Sequence, residues 1–384
     1  MKIDYSLPRE LSAAEETFVK SALERSLNVV AIEVTASRLS VELSGEIPED
    51  RFNEVMQNLL YVSRSISRKT LYENSEKHLY CDNPMQALLD SGDVVRAAEG
   101  MFSFQGSFLK LLKACQAYAL GIAEKYNAVE QDHPVLWPID LYKKINYFSE
   151  FPQQVIMGVA VENSFEARDD FANNYEKEQS YESVSTREHF SHATYGLQCA
   201  VCDICYYNMR GGRDHQNTVY TTCNKVFRNE SSATGSLDRL TTFTVRDVMF
   251  VGDRDFVLLY RQKMLDEAEA LLRKLDLECK IETADDPFFT NDSVVKNLFQ
   301  SASELKHELL VKLNHSDSFM AVGSVNLHLD FFGQAFDIQA PDSTPVYSGC
   351  FGIGFERLAY ALCCQYGIDF QKWPGQVRDT LKLK

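Results

Sequence analysis

The sequence predicts an α+β protein in which a small N-terminal α/β module precedes a larger domain. The chain has 384 residues, of which 45% are hydrophobic, enough for one large core and a small one beside it. About the first 75 residues show a helix, two strands and a second helix in turn. From Thr218 onward, segments that alternate as strands do are separated by long helical patterns.

The N-terminal module is predicted to span residues 1–78. An early proline and acidic first turns favour the start of its first helix, and the two runs that follow are rich in Val, Ile and Leu. The polar stretch 72–84 is predicted to link this module to the main domain. The predicted elements are a helix over residues 8–26, strands at Val29–Thr35 and Leu39–Leu43, and a helix over Glu49–Ser63.

The main domain is predicted to span residues 85–384. Its first long helix is followed by HPVLWP, where two prolines frame an extended segment. Residues 163–189 are charged and poor in aliphatic side chains, which predicts a surface insertion of unknown role. The predicted helices are Phe104–Tyr126, one over about 255–277 and one over about 293–313.

Composition limits the partners of the chain. It has 39 Lys and Arg against 55 Asp and Glu, a formal net charge of −16. Proteins that bind a long phosphate backbone usually present a basic face, so this balance disfavours tRNA as a partner without excluding a local basic patch.

The cysteines and the lack of a targeting pattern bear on the location of the protein. Ten scattered cysteines do not make a compact disulfide framework. Without a signal pattern or an apolar run of about 20 residues, we expect a cytoplasmic protein that makes no membrane contact.

The segment VFRNESSATGSLDRLTTFTVRDVMFVG, residues 226–252, reads as two antiparallel strands joined by a loop. Because strand side chains alternate with period two, Arg228, Glu230, Arg239 and Phe243 can share one face. Guanidinium groups match phosphate oxygens, a phenyl ring can stack on a purine, and a carboxylate can accept from an exocyclic amine. Taken alone, the segment is more typical of a solvated hairpin that carries ordinary surface charges, because isolated motif matches are common.

A second informative segment is SGCFGIGFERLAYAL, residues 348–362. It reads as a glycine-rich strand that enters an amphipathic helix, with Arg357 in the first turns. Glycines allow close backbone approach, and a helix N-terminus favours anions. Taken alone, the pattern also fits tight packing between strand and helix, with Arg357 on the surface.

Together these segments resemble class II aminoacyl-tRNA synthetases. FRNE followed by Arg239, Phe243 and Asp247 is similar to motif 2 of that class, and GIGFER is similar to motif 3. The helix and proline segment over 104–138 resembles motif 1, which implies a homodimer. The three occur in the family's order and cover residues 85–384. The resemblance implies a catalytic domain with an antiparallel sheet flanked by helices.

Within the class, archaeal-type seryl-tRNA synthetases and amino acid:carrier-protein ligases look most similar. LQCAVCDICYYNM, residues 197–209, resembles a stretch of both, although Cys199 stands where they have proline. NYFSEFP (146–152) and VNLHLDFFGQAFDI (325–338) resemble the carrier-protein ligases, which also lack a long tRNA-binding arm. A cytoplasmic ligase that activates a small amino acid, such as glycine, alanine or serine, is therefore expected.

The resemblance implies roles for individual residues in ATP binding. Adenine would lie between Phe243 and Arg357, with Glu230 near its amine, while Arg228 would hold the α-phosphate and Mg²⁺ would accompany the β- and γ-oxygens. Arg228 and Arg357 are the expected catalytic residues. The full set of expected ATP-binding residues is Arg228, Glu230, Arg239, Phe243, Glu356 and Arg357.

The same resemblance implies a zinc site at Cys202, Asp247 and Cys350. Two thiolates and a carboxylate leave the fourth zinc position open for the α-amine of a substrate. Asp247 departs from the glutamate usual in the family, and it is shorter by one methylene. Three other interpretations of these cysteines stay open: small buried hydrophobic residues, a different cluster with Cys199 and Cys205, or no metal.

Asn326 and His328 precede motif 3 on a predicted strand, where substrate or metal contacts occur in the class. They are expected to bind substrate, or equally to be hydrogen-bonded core residues. For the whole chain, three functions stay open. The first is an amino acid:carrier-protein ligase that loads a phosphopantetheine thiol. The second is a seryl-type tRNA synthetase, and the third is a non-catalytic regulatory paralog. The retained arginines and Phe243 disfavour the third, and the acidic charge disfavours the second.

Overall fold

The structure is a computed structural model. It describes residues 1–26, 29–63, 68–76, 80, 82–181, 189–230, 235–284, 304–316 and 318–383. The helices are α1 (Ala13–Ser26), α2 (Glu49–Ser63), α3 (Met85–Asp90), α4 (Gly106–Lys125), α5 (Ile139–Lys144), α6 (Tyr147–Glu150), α7 (Phe165–Glu178), α8 (Asp203–Asn208), α9 (Arg254–Lys274), α10 (Phe331–Phe336), α11 (Phe355–Tyr366) and α12 (Gly375–Thr380). Short 3₁₀ turns lie at Pro152–Gln154 and Phe370–Lys372.

The described strands form four sheets. They are β1 (Lys2–Ser6), β2 (Val29–Thr35), β3 (Arg38–Leu43), β4 (Thr70–Asn74), β5 (Val94–Ala98), β6 (Met101–Phe104), β7 (Val129–Glu130), β8 (Leu136–Pro138), β9 (Met157–Gly158), β10 (Tyr195–Leu197), β11 (Thr218–Phe227), β12 (Thr242–Gly252), β13 (Cys279–Thr283), β14 (Lys306–Leu313), β15 (Ser318–Leu329) and β16 (Tyr347–Gly354). The strand orders are β1-β3-β2, β8-β10-β9, β5-β6 and, in the large sheet, β4-β13-β14-β15-β16-β12-β11-β7.

The N-terminal module has its own core. Helices α1 and α2 cover the β1-β3-β2 sheet, and Val19, Leu39 and Phe52 are fully buried between them. The first helix begins at Ala13 rather than at residue 8 because Ser12 and Glu15 form a reciprocal cap. The Ser12 amide donates to Glu15 Oε2 at 2.9 Å. Strand β1 was not predicted, since its run KIDYS is short and mostly polar.

The structure moves the boundary predicted after residue 78. Strand β4, which includes the start of the predicted linker at Tyr72, pairs with β13 at the edge of the large sheet. Most of its side chains are exposed or partly exposed, so the sequence TLYEN has no apolar signal. The end of the predicted N-terminal module therefore contributes a strand to the main domain.

The large sheet confirms the predicted α+β fold. It is antiparallel throughout except where β7 runs parallel to β11. The predicted hairpin is present as β11 and β12, with Thr222 opposite Asp247. The helix expected over 293–313 is wrong for residues 306–313, which form β14, and its earlier part lies outside the described residues. Alternating burial in KHELLVKL fits a strand better than a helix.

Each face of the large sheet has a different covering. Phe250 and Phe351 point to one face and join a core with α4, α9 and α11. Met249 and Cys350 point to the other face and join a second core with α5, α8 and α10. Because adjacent residues of β12 and β16 alternate between the faces, the candidate site described below lies on the second face.

The predicted surface insertion contains a helix. Ser164 Oγ accepts from the Ala167 amide at 3.0 Å and begins α7, whose residues are all at least partly exposed. Residues 182–188 of the predicted insertion lie outside the described residues. Of the helices in the described part of the chain, none combines the length and the apolar character that a membrane span needs.

Candidate active site

A cavity of about 590 Å³ opens on the second face of the large sheet. Strands β12, β15 and β16 form its floor, and segments around α6, α8 and α10 form its walls. Residues from distant parts of the sequence meet here because the sheet places these three strands side by side. The predicted site residues that line the cavity are Cys202, Arg228, Glu230, Arg239, Phe243, Asp247, Asn326, His328, Cys350 and Arg357.

One end of the cavity is rich in arginine and has an aromatic wall. Arg228 follows strand β11, and its Nε donates to the Cys199 carbonyl at 3.0 Å. Its guanidinium carbon lies 5.4 Å from the centre of the Phe243 ring. These contacts fix the guanidinium while its other nitrogens remain near the cavity. The geometry suits a planar aromatic group with a phosphate beside it.

Two further arginines line the same end. Arg239 is 3.9 Å from Glu230 Oε2 and 3.4 Å from Glu24 Oε2 of helix α1, so the N-terminal module reaches the cavity. Arg357, at the start of α11, donates to the Ala321 carbonyl at 3.5 Å. This end therefore combines positive groups with carboxylates that hold them in place. We call it the arginine end.

Glu356 was predicted to bind ATP, but the structure places it away from the cavity lining. Its buried carboxylate accepts from the Thr244 amide at 2.7 Å and from Thr244 Oγ1 at 2.8 Å. It also accepts from Lys225 Nζ at 3.1 Å. These bonds join α11 to the hairpin, so the carboxylate fixes the position of its neighbour Arg357 relative to β12.

The other end of the cavity holds Cys202, Asp247 and Cys350, and we call these three residues the triad. One ligand atom from each residue lies within 4.8 Å of the others, and all three side chains are buried. Asp247 is opposite Gly352 in the sheet, two residues from Cys350 on the same face. A Cβ at position 352 would overlap Asp247 Oδ1, so glycine is needed there. Cys202 immediately precedes α8.

The triad brings together three acidic side chains whose charged forms a cation would stabilise. Burial raises the pKa of Asp247 well above its usual value. The hydrogen bond with Cys350 and burial raise the pKa of Cys202, and the same bond lowers the pKa of Cys350. A divalent cation would favour both thiolates and the carboxylate. The donor set of two thiolates and one carboxylate fits Zn²⁺ with one position open.

Asn326 and His328 both contact the triad. Asn326 Nδ2 donates to Cys350 Sγ at 3.4 Å and to Ser324 Oγ at 3.0 Å. His328 Nε2 is 3.7 Å from Cys350 Sγ, and its Nδ1 is 3.2 Å from Ser348 Oγ. Donors to a metal thiolate orient it and moderate its charge, so these contacts are compatible with a metal-supporting role as well as with substrate binding.

Comparisons with known proteins fit this geometry. A scan against protein-family models finds none that matches. The chain is 36% identical over 158 residues to an amino acid–[acyl-carrier-protein] ligase of Bradyrhizobium diazoefficiens, covering 41% of this chain and 48% of that protein. It is 26% identical over 318 residues to a type-2 serine–tRNA ligase of Methanococcus maripaludis, covering 80% of this chain and 62% of that protein. The chain is a relative of both kinds of ligase. It spans about half the length of the acyl-carrier-protein ligases it matches.

Solved structures show the same fold. The chain matches a structure of M. kandleri SerRS in complex with A. aeolicus tRNASec, with a TM-score of 0.73 at 16% identity, over 99% of this chain and 77% of that one. It also matches a Pyrococcus horikoshii seryl-tRNA synthetase complexed with ATP, with a TM-score of 0.56 at 12% identity. This match covers 86% of this chain and 68% of that one. The fold expected from the resemblance to class II synthetases is thereby confirmed, and the relatives found by sequence are ligases by name.

The structure adds residues that the sequence did not single out. Asp203 lines the cavity beside Cys202, and Tyr147 and Ser324 also line it. Asp203 follows a predicted ligand directly, so an acidic neighbour could have drawn attention to it. Ser324 could also have been found, because it lies two residues before Asn326 on the same strand and therefore shares its face.

Proposed function

We propose that this chain activates a small amino acid with ATP and transfers it to the phosphopantetheine thiol of a carrier protein. The observation that supports this is a single cavity with an arginine end and a Cys–Asp–Cys triad. An aminoacyl-adenylate needs both a site for the nucleotide phosphates and a site for the amine. The proposed catalytic domain comprises most of the chain after the N-terminal module, and the proposed assembly is a homodimer.

ATP is proposed to bind at the arginine end, accompanied by Mg²⁺. Adenine lies between Phe243 and Arg357, Glu230 accepts from its amine, and Arg239 contacts the phosphates. A carboxylate oxygen of the amino acid attacks the α-phosphorus in line, and the bond to pyrophosphate breaks. Arg228 stabilises the negative charge that develops on the α-phosphate oxygens. Positioning and charge stabilisation supply most of the acceleration.

The amine of the substrate is proposed to bind at the triad. Cys202, Asp247 and Cys350 would hold Zn²⁺, which would supply an open coordination position for a free α-amine. Glycine, alanine and serine are the proposed substrates, because an amine held at a buried triad favours a small amino acid. Asn326 and His328 keep Cys350 oriented through their contacts with its sulfur. A cytoplasmic location belongs to the proposal because thiolate ligands must stay reduced.

In the second step, the thiolate of the carrier protein attacks the acyl carbonyl and AMP leaves, which gives a thioester. The closer identity to acyl-carrier-protein ligases, 36% against 26%, favours this acceptor over tRNA. The net charge of −16 favours the same choice. Transfer to tRNA is the alternative, which the longer match to the serine–tRNA ligase supports.

The test is an exchange and transfer assay. Amino-acid-dependent exchange of pyrophosphate into ATP, measured across all twenty amino acids, tests activation. A radiolabelled amino acid is then offered with a phosphopantetheinylated carrier protein or with total tRNA. We expect exchange with a small amino acid and label on the carrier protein. Label on tRNA alone would support the synthetase alternative, and absence of exchange would support a non-catalytic paralog.

A further inference from the structure

Asp203 is a buried carboxylate that the catalytic steps above do not use. It is the first residue of α8, its side chain lines the cavity, and the residue is 6% exposed. It lies beside Cys202 but is not one of the triad's ligands. A charged group in this position is costly unless a donor or a cation compensates it.

The hydrogen bond that the described residues give to Asp203 comes from the Cys202 thiol. Cys202 Sγ lies 3.4 Å from Asp203 Oδ1. The thiol has one proton to donate, so it can satisfy at most one of the acceptor positions of this carboxylate. The other acceptor positions of Asp203 remain for a donor in the cavity that it lines.

Two nearby basic side chains, Arg228 and His328, do not replace that bond. Arg228 is close enough to influence the charge of Asp203, but its Nε donates to the Cys199 carbonyl. His328 interacts with Cys350 and Ser348. Among the described residues, none but Cys202 forms a hydrogen bond to Asp203. A ligand in the cavity can therefore supply a further donor to this carboxylate.

We propose that Asp203 binds the amino group of the substrate and accepts a hydrogen bond from its α-amine. The inference rests on the proposed function. An amine bound by a metal at the triad would keep two N–H groups, which would need acceptors. Asp203 is a cavity-lining carboxylate beside Cys202 that is not one of the triad's ligands. It therefore selects for a primary amine, independently of the amino acid's side chain.

The proposal separates Asp203 from a side-chain specificity residue. If it binds the amine, all small amino acids lose the same contact when it is removed, including glycine, which has no side chain. An N-methyl amino acid presents one N–H fewer and should bind poorly to the native protein. Removal of Asp203 should reduce that discrimination.

The test compares Asp203→Asn and Asp203→Ala with the native chain. Asn208→Ala is the control, because it lies on the exposed side of the same helix. Pyrophosphate exchange is measured with glycine, alanine, serine and sarcosine, the N-methyl form of glycine. We expect the KM for each of the first three to rise by about 10- to 100-fold in Asp203→Ala, the scale of one bond to a charged acceptor. The KM for ATP should not change, and the preference for glycine over sarcosine should fall.

Two measurements other than activity distinguish a loss of amine binding from a loss of metal. Metal content of the purified variants should equal that of the native chain. Stabilisation of the fold by glycyl-sulfamoyl adenosine should decrease in Asp203→Asn, whereas stabilisation by AMP should not. The isosteric asparagine variant serves if the alanine variant does not fold.

Several results would overturn the assignment. Loss of metal in Asp203→Asn would mean that Asp203 acts on Cys202 instead. An effect confined to serine would mean that it binds a side chain, and unchanged kinetics would mean that it has no role in binding. Equal use of glycine and sarcosine by the native chain would also contradict it. If the native chain shows no exchange, the proposed function fails rather than this inference alone.

Discussion

The two ends of the cavity are built in different ways. The triad lies on central strands and an adjoining turn, and its members are 3–6% exposed. At the arginine end, Arg228, Glu230 and Arg239 lie beyond the ends of β11 and β12, and the side chains of Glu230 and Arg239 are each 22% exposed. The triad is fixed largely by sheet register, whereas the arginine end depends on loops. Changes at the first should therefore be more disruptive than changes at the second.

The largest effect is expected at the triad. Cys202→Ser and Cys350→Ser replace a thiolate with a weakly acidic hydroxyl and should lower metal affinity by more than about 100-fold, beyond the range for an outer partner of a ligand. Metal analysis of the purified variants and pyrophosphate exchange measure this. Cys205→Ser is the matched control, because Cys205 is equally buried on α8 but contacts Gln131. Native metal content in both triad variants would show that the triad holds no metal.

At the arginine end, Arg228→Ala should lower the exchange rate by about 100- to 1,000-fold, the cost of removing one preorganised donor. Metal content should not change, since Arg228 is not part of the triad. Arg228→Lys keeps the charge but loses the planar fork, so it should recover only part of the rate. A loss of metal in Arg228→Ala would show that the two ends are not independent.

The two ends should also respond differently to pH. Metal binding at the triad must release protons, and the raised pKa values of Cys202 and Asp247 let protons compete strongly. Apparent metal affinity should therefore increase as pH rises, by about tenfold per unit for each proton released. The arginine end needs no proton release to bind its ligand, so nucleotide affinity there should change little between about pH 7 and pH 8, where the phosphate of AMP is already mostly doubly charged. Titrations of metal and of AMP across that range measure both. A metal affinity that does not change with pH would contradict the proton-linked triad.

The smallest effect concerns the contact between the modules. Glu24 pairs with Arg239, so under the proposed function it would compete with ATP phosphates for the same guanidinium. Glu24→Gln should lower the KM for ATP by about 1.4- to 5-fold, because a partly exposed ion pair contributes about 0.2–1 kcal/mol. Glu16→Gln is the control, since Glu16 pairs with Lys20 on the same helix. An increase in the KM for ATP would mean that Glu24 helps to position Arg239 instead.

The sequence identifies the chemistry of the site better than its geometry. Arg228 and Phe243 could be paired in advance because strand alternation and the resemblance to motif 2 both point to one face. Glu356 could not be placed, because its position next to Arg357 in sequence does not reveal that it turns toward Thr244. The role of Asp203 in the cavity could not be predicted either, since the burial of its side chain depends on how α8 packs. Strand β4 was missed because an edge strand needs no apolar pattern.

The most direct test of the account is a crystal structure with a non-hydrolysable aminoacyl-sulfamoyl adenosine, grown with zinc present. We predict adenine between Phe243 and Arg357, and the amine nitrogen bound to a zinc ion held by Cys202, Asp247 and Cys350. A nucleotide bound outside this cavity, or an amine far from the triad, would contradict the claim that the two ends form one active site.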